Sequence, residues 1–139
     1  MRRSIDKIFV CVLLAIFMVA PVASLAATRT TGDHFSVKEY NDFHHVLHPL
    51  QHEALPSKDY ATIRTRSGEL VTLGEAIVKV GVPAKVNDVP TFTNELKKFS
   101  DSLVKFKADA ANATDAQLVE SYLAVHDTFE MLAAMLPRK

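Results

Sequence analysis

The residues with the most chemistry in this chain are its six histidines, and they are unevenly spaced. His34, His44, His45, His48 and His52 fall within 19 residues, and the sixth, His126, stands far away. In the segment Phe43-His44-His45-Val46-Leu47-His48-Pro49-Leu50-Gln51-His52-Glu53, three histidines recur at i, i+4 and i+8. On a helix such residues form one ridge, because side chains four apart are neighbours. Neutral imidazoles at i and i+4 can chelate one borderline metal ion, as in helical zinc motifs. His45 adjoins the ridge, and His34 reads as a solvated residue. The plainer alternative is a histidine-rich polar face that titrates near pH 6.5.

The donor set restricts the ion. Imidazole with optional carboxylate suits Zn, Cu(II), Ni or Co. Calcium and magnesium prefer shells made of oxygen and are not expected. Met131 and Met135 do not share a ridge with His126, so the pattern lacks a methionine-rich Cu(I) site.

His126 lies in Val125-His126-Asp127-Thr128-Phe129-Glu130, with Glu130 one turn on, again at i+4. Four amphipathic stretches must position these donors. Leu118, Tyr122, Val125, Phe129, Leu132 and Leu136 step by four and three, the apolar period of a helix. Thr114 and Gln117 open that helix as a capping box. Leu96, Phe99, Leu103, Phe106 and Ala110 repeat the period after Pro90-Thr91. Ile63, Leu70 and Ile77, interleaved with Leu73 and Val80, do so after Pro56-Ser57, with Asp59 in the first turn and Gly81-Val82-Pro83 as the stop. The first helix turns Tyr40, Phe43, Leu47 and Leu50 inward, and Pro49 predicts a kink within it. Period-two alternation is missing, so no strand is expected. The predicted class is all-α: an antiparallel up-down-up-down four-helix bundle with helices over 36–55, 57–81, 91–111 and 114–136. In that topology His126, 12 residues into the last helix and about 18 Å along it, comes level with His44. His44, His48, His52 and His126 are the expected ligands, with Glu130 a further donor. Asp127, Glu53 and Asp59 are weaker carboxylate candidates.

The start of the chain reads as an address. Arg2, Arg3 and Lys7 precede the apolar run Ile8–Ala20, Pro21 breaks it, and Ser24-Leu25-Ala26 offers small residues for cleavage. This is the pattern of a secretory signal peptide over residues 1–26, followed by a flexible leader over 27–35. Removing it takes Arg2, Arg3, Lys7 and Asp6 from the 16 basic and 16 acidic residues, and leaves 13 and 15, a net charge of −2 over 113 residues. The one cysteine, Cys11, goes with it, so disulfides, thiolate sites and thiol catalysis are excluded from the mature chain. The neutral balance of the whole chain argues against nucleic acid, whose phosphates normally need a basic patch or stripe. After cleavage no membrane span remains in the sequence, and a periplasmic location follows. A homodimer or a periplasmic protein partner stays open.

The histidine-rich segment together with Val125-His126-Asp127-Thr128-Phe129 resembles small exported bacterial helical proteins with a histidine-rich first helix. The resemblance implies binding of transition metals. The overall plan is also similar to cytochrome b562 and cytochrome c′, and to helical periplasmic metal-resistance sensors and chaperones. Covalent haem is excluded, because no Cys-x-x-Cys-His is present. The sequence therefore points to a periplasmic buffer, chaperone or sensor for Zn, Cu or Ni. The alternatives are a non-covalent haem or electron-transfer bundle and a cofactor-free interaction module. No nucleophile or oxyanion device can be read, so an enzyme is not expected.

Overall fold

A computed structural model of the protein describes residues 34–137. The segment read as a signal peptide, Cys11 and most of the expected leader lie outside the described residues. Those residues are all-helical: α1 (Lys38–Pro49), a π-helical segment (Leu50–Ala54), α2 (Tyr60–Val80), α3 (Val89–Asn112) and α4 (Asp115–Ala134), with no strand among them.

α2, α3 and α4 each begin where a side chain takes an orphan backbone donor, whereas α1 starts after Val37 with no side-chain cap. Asp59, expected inside the first turn of α2, is its N-cap, and its carboxylate accepts from the Thr62 N–H at 3.0 Å and the Thr62 hydroxyl at 2.7 Å. Those bonds hold the Asp59 carboxyl below the usual carboxylate range, the hydroxyl first. They also move the start of α2 past Pro56-Ser57. Asp88 does the same for α3 through the Thr91 N–H at 3.0 Å, and Pro90 falls in the first turn, where its missing N–H is no loss. Thr114 and Gln117 form the expected capping box of α4. Gly81 ends α2 at φ +73, a conformation that favours glycine.

The expected stripes face one another. Tyr40, Phe43, Ile63, Leu70, Ile77, Phe92, Phe99, Phe106, Tyr122 and Phe129 are wholly buried. Phe129 is the hub, its ring centroid 4.7 Å from Phe43, 5.8 Å from Tyr40 and 6.4 Å from Phe99. Farther along, Phe106 meets Tyr122 at 5.9 Å, and the Tyr122 hydroxyl donates to the Leu47 carbonyl at 3.4 Å. Val80, expected inward, is exposed. A strict seven-residue repeat drifts about 20° per heptad around a straight helix. Ile63, Leu70 and Ile77 stay buried, while the interleaved stripe goes from half-buried at Leu73 to exposed at Val80, the last residue of α2.

Two glycines of α2 differ in purpose. A Cβ on Gly74 would lie 2.7 Å from both Leu103 methyls, so glycine lets α2 approach α3 closely, whereas one on Gly68 would meet open space. Gly68→Ala is therefore expected to stabilise the protein by roughly 0.5–1 kcal/mol, the helix-propensity gain. Gly74→Ala gains the same propensity but overpacks at about 1–3 kcal/mol, and is expected to be neutral to destabilising. Chemical denaturation of both variants checks the contrast.

Arg64 ties α2 to the end of α3. Its guanidinium donates to the carbonyls of Asp109 at 3.2 Å, Ala110 at 3.0 Å and Ala113 at 2.8 Å, and to the Asp115 carboxylate at 2.9 Å. The last carbonyls of a helix run short of internal partners; the Asp109 carbonyl also accepts from the Ala113 N–H at 2.9 Å, and a side chain from another helix supplies bonds to those of Ala110 and Ala113. Arg64→Ala is expected to cost about 2–3 kcal/mol, from lost charged hydrogen bonds and stranded carbonyls. Lysine, which lacks the planar fork, should recover only part of that in the same denaturation measurement.

Candidate metal centre

The ridge expected from spacing exists as a physical contact. His44 and His48 lie with ring centroids 5.5 Å apart and planes at 69°, and His48 and His52 lie 4.4 Å apart at 43°. His48 is thus shared by two imidazole pairs. His48 and His52 are exposed, and His44 is half-buried. Its ring stands 5.5 Å from Phe35, edge-on, and 6.2 Å from Phe129, nearly parallel. His45 and His34 are exposed.

The upstream end of the ridge is fixed by packing. Phe35, at the close of the expected leader, lies 6.2 Å from Tyr40 and 5.8 Å from Phe129. Its N–H donates to the Asn41 side chain at 2.8 Å, while the Asn41 amide donates to the carbonyls of Phe35 and Val37, both at 3.0 Å. Sequence spacing alone gave no signal of this cover, since Phe35 stands outside every helical stripe. The Tyr40 hydroxyl beneath it is buried with no hydrogen-bond partner among the described residues, and burial pushes its pKa above the usual phenol range.

The downstream end runs into the π segment. Pro49 has no N–H and its ring crowds the carbonyl four residues back, so α-helical bonding is interrupted there. In place of a simple kink, the Leu50 N–H bonds the Leu47 carbonyl and the Leu55 N–H reaches the Leu50 carbonyl at 2.9 Å. The second is an i→i+5 bond, and such wide turns are frequent at functional sites.

His126 lies on α4 between the two contacts that join that helix to α1. Phe129 meets Phe43 and His44, and Tyr122 meets Leu47, so His126 is at the level of the upstream ridge. Its side chain is 23% exposed, with Nδ1 3.0 Å from an Asp127 oxygen. An Nδ1–H directed at a carboxylate fixes the tautomer that leaves Nε2 free to ligate. Asp127 thereby orients the His126 ring, a contact the spacing did not indicate. Glu130 is exposed. Glu53 and Asp59 lie together along a surface cleft of about 430 Å³ with Pro49, Ser57 and Arg66. Among the described residues, no three of the His, Cys, Asp and Glu side chains converge on a single point. The structure brings the three ridge histidines into consecutive contact and leaves His126 and Glu130 on the neighbouring helix.

Charge is segregated between helices. α4 carries Asp115, Glu120, Asp127 and Glu130 and no lysine or arginine; α1 and the π segment carry Glu39, Asp42 and Glu53 against Lys38 alone. The lysines and arginines of α2 and α3 number seven against five carboxylates. The helices bearing the histidines are thus the acidic ones, and a field of that sign raises the local concentration of cations. Among the described residues, no helix is long and apolar enough to cross a membrane. No protein-family model, curated protein or solved structure matches the chain.

Proposed function

We propose that this protein is an exported, periplasmic transition-metal-binding protein, a buffer, chaperone or sensor for Zn, Cu or Ni, and not an enzyme. The observation that carries the reading is the unbroken contact of His44, His48 and His52, two imidazole pairs with a common member. Imidazole at this spacing is a bidentate donor for borderline ions. The acidic character of α1 and α4 supports it, since it favours cation capture. His126, which stands at the level of the upstream ridge, and Glu130 are the further donors we assign to the set.

The architecture we propose for this role is the antiparallel up-down-up-down bundle. Its support is the opposed numbering along three neighbouring pairs. Phe43 pairs with Phe129 and Leu47 with Tyr122; Phe99 pairs with Phe129 and Phe106 with Tyr122; Arg64 meets Ala110 and Gly74 meets Leu103. The haem alternative is less well supported, because Tyr40, Phe43 and Phe129 fill the seam between α1 and α4 that a porphyrin would occupy.

Thermal unfolding followed by circular dichroism tests the function. A ligand at about 100 times its Kd stabilises the native state by about 2.7 kcal/mol. Zn(II), Cu(II) or Ni(II) is expected to raise the Tm of chelator-treated protein, and EDTA to reverse the rise. A Tm indifferent to all three ions overturns the proposal and favours a cofactor-free interaction module.

A further inference from the structure

We propose that Pro49 is a positioning residue for metal: with the π turn behind it, it draws His48 and His52 together into the tighter chelating pair of the ridge. This rests on the metal-binding reading above. In a regular α-helix four residues turn about 40° beyond a full circle and rise about 6 Å. A ridge built on that spacing therefore drifts, and histidines eight apart end about 80° apart around the axis. From His44 to His48 the chain is α-helical, and the ring centroids are 5.5 Å apart with planes at 69°. From His48 to His52 it passes through the π segment, where the Leu55 N–H bonds the Leu50 carbonyl at 2.9 Å. The Asp59 N–H then bonds the Ala54 carbonyl at 2.8 Å, a second bond of the same span.

A wider turn holds more than four residues, so four of them no longer overshoot the circle and rise less along the axis. The separation falls to 4.4 Å and the planes come to 43°. The sequence cause is local. Pro49 cannot donate, and its ring excludes the α-type bond at that point. The Leu50 N–H instead takes the nearer Leu47 carbonyl, and the wide turn follows directly. Bringing two donors closer before the ion arrives lowers the ordering cost of binding. The downstream pair is the better chelate for that reason, and the upstream pair, on regular helix, owes nothing to Pro49.

The shared position of His48 allows each pair to be isolated in the full chain. His44→Ala leaves only the downstream pair, and His52→Ala only the upstream one. Zn(II) affinity of each is measured by calorimetry, with and without Pro49→Ala. Alanine is the best helix former, so the added change is compatible with folding, and far-UV circular dichroism checks this. Pro49→Ala is expected to weaken Zn(II) binding about tenfold in the His44→Ala protein, in the range for lost support of a metal ligand. In the His52→Ala protein it should leave the affinity unchanged within error. Equal losses in both backgrounds would reveal a general effect on the helix and overturn the inference, as would an unchanged affinity in the His44→Ala protein. No binding of Zn(II), Cu(II) or Ni(II) by the unsubstituted chain overturns the metal reading itself, and this inference with it.

Discussion

His48→Ala is expected to weaken binding of Zn, Cu or Ni by on the order of a hundredfold or more, beyond the roughly 10–100-fold that loss of an outer-shell partner costs. His48 is the member common to both imidazole pairs, so its removal separates His44 from His52 by two helical turns and leaves no pair at chelating distance. His44→Ala or His52→Ala should cost less, because each leaves one pair intact. The folded state should barely change: His48 is exposed, and exposed substitutions away from special features stay within about 0.5 kcal/mol. Calorimetric titration beside denaturant unfolding separates the two effects. Equal affinity in all three single variants would contradict the ridge as the site.

The largest effect on stability is expected at Phe129. Its ring is wholly buried and lies against Phe35, Tyr40, Phe43 and Phe99, from both α1 and α3. Phe129→Ala is expected to cost about 3–5 kcal/mol, the usual range for removing a buried aromatic ring. A domain of this size has only about 5–15 kcal/mol in total. The same change removes the ring beneath His44, so the upstream pair should loosen together with the core. Val104→Ala, at a position 69% exposed on α3, is the control and should stay within about 0.5 kcal/mol. A loss below about 1 kcal/mol at Phe129 would mean that the aromatic seam between α1 and α4 does not hold the bundle together.

Much of this arrangement is legible in the residues themselves. The steps of four and three from Leu118 to Leu132 predict the buried face of α4 residue by residue, and Thr114 with Gln117 marks its start, because both signals are local. The ridge of His44, His48 and His52 is legible for the same reason: helix periodicity alone makes i+4 residues neighbours. What sequence does not reveal depends on competition or on distance. Pro49 predicts an interruption but not its form; a kink and a π turn both answer a missing N–H, and the neighbouring bonds of Leu50 and Leu55 decide between them. Asp59 sits as plausibly inside a first turn as at its cap, and the Thr62 hydroxyl tips it to the cap. Arg64 gives no local sign that it will close α3, 45 residues away. Phe35 lies in no periodic stripe, yet packs on Phe129 and His44 once α1 and α4 meet.

The site has the same division. Which histidines share a ridge follows from spacing, whereas the approach of His126 depends on helix register. The register contacts on either side of it, Phe129 to Phe43 and Tyr122 to Leu47, put it at the level of the upstream ridge. Its Nδ1 contact with Asp127 could not be foreseen from spacing, because adjacent residues on a helix do not face each other.

The central claim is that the contiguous imidazoles of α1 and the π segment bind a transition metal ion. Isothermal titration of Zn(II), Cu(II) and Ni(II) into chelator-treated protein near neutral pH tests it most directly. The account predicts binding at micromolar Kd or tighter for at least one of the three, with a single ion per ridge, because both pairs draw on His48. Absence of saturable binding for all three ions, or micromolar binding that survives His48→Ala unchanged, would contradict it.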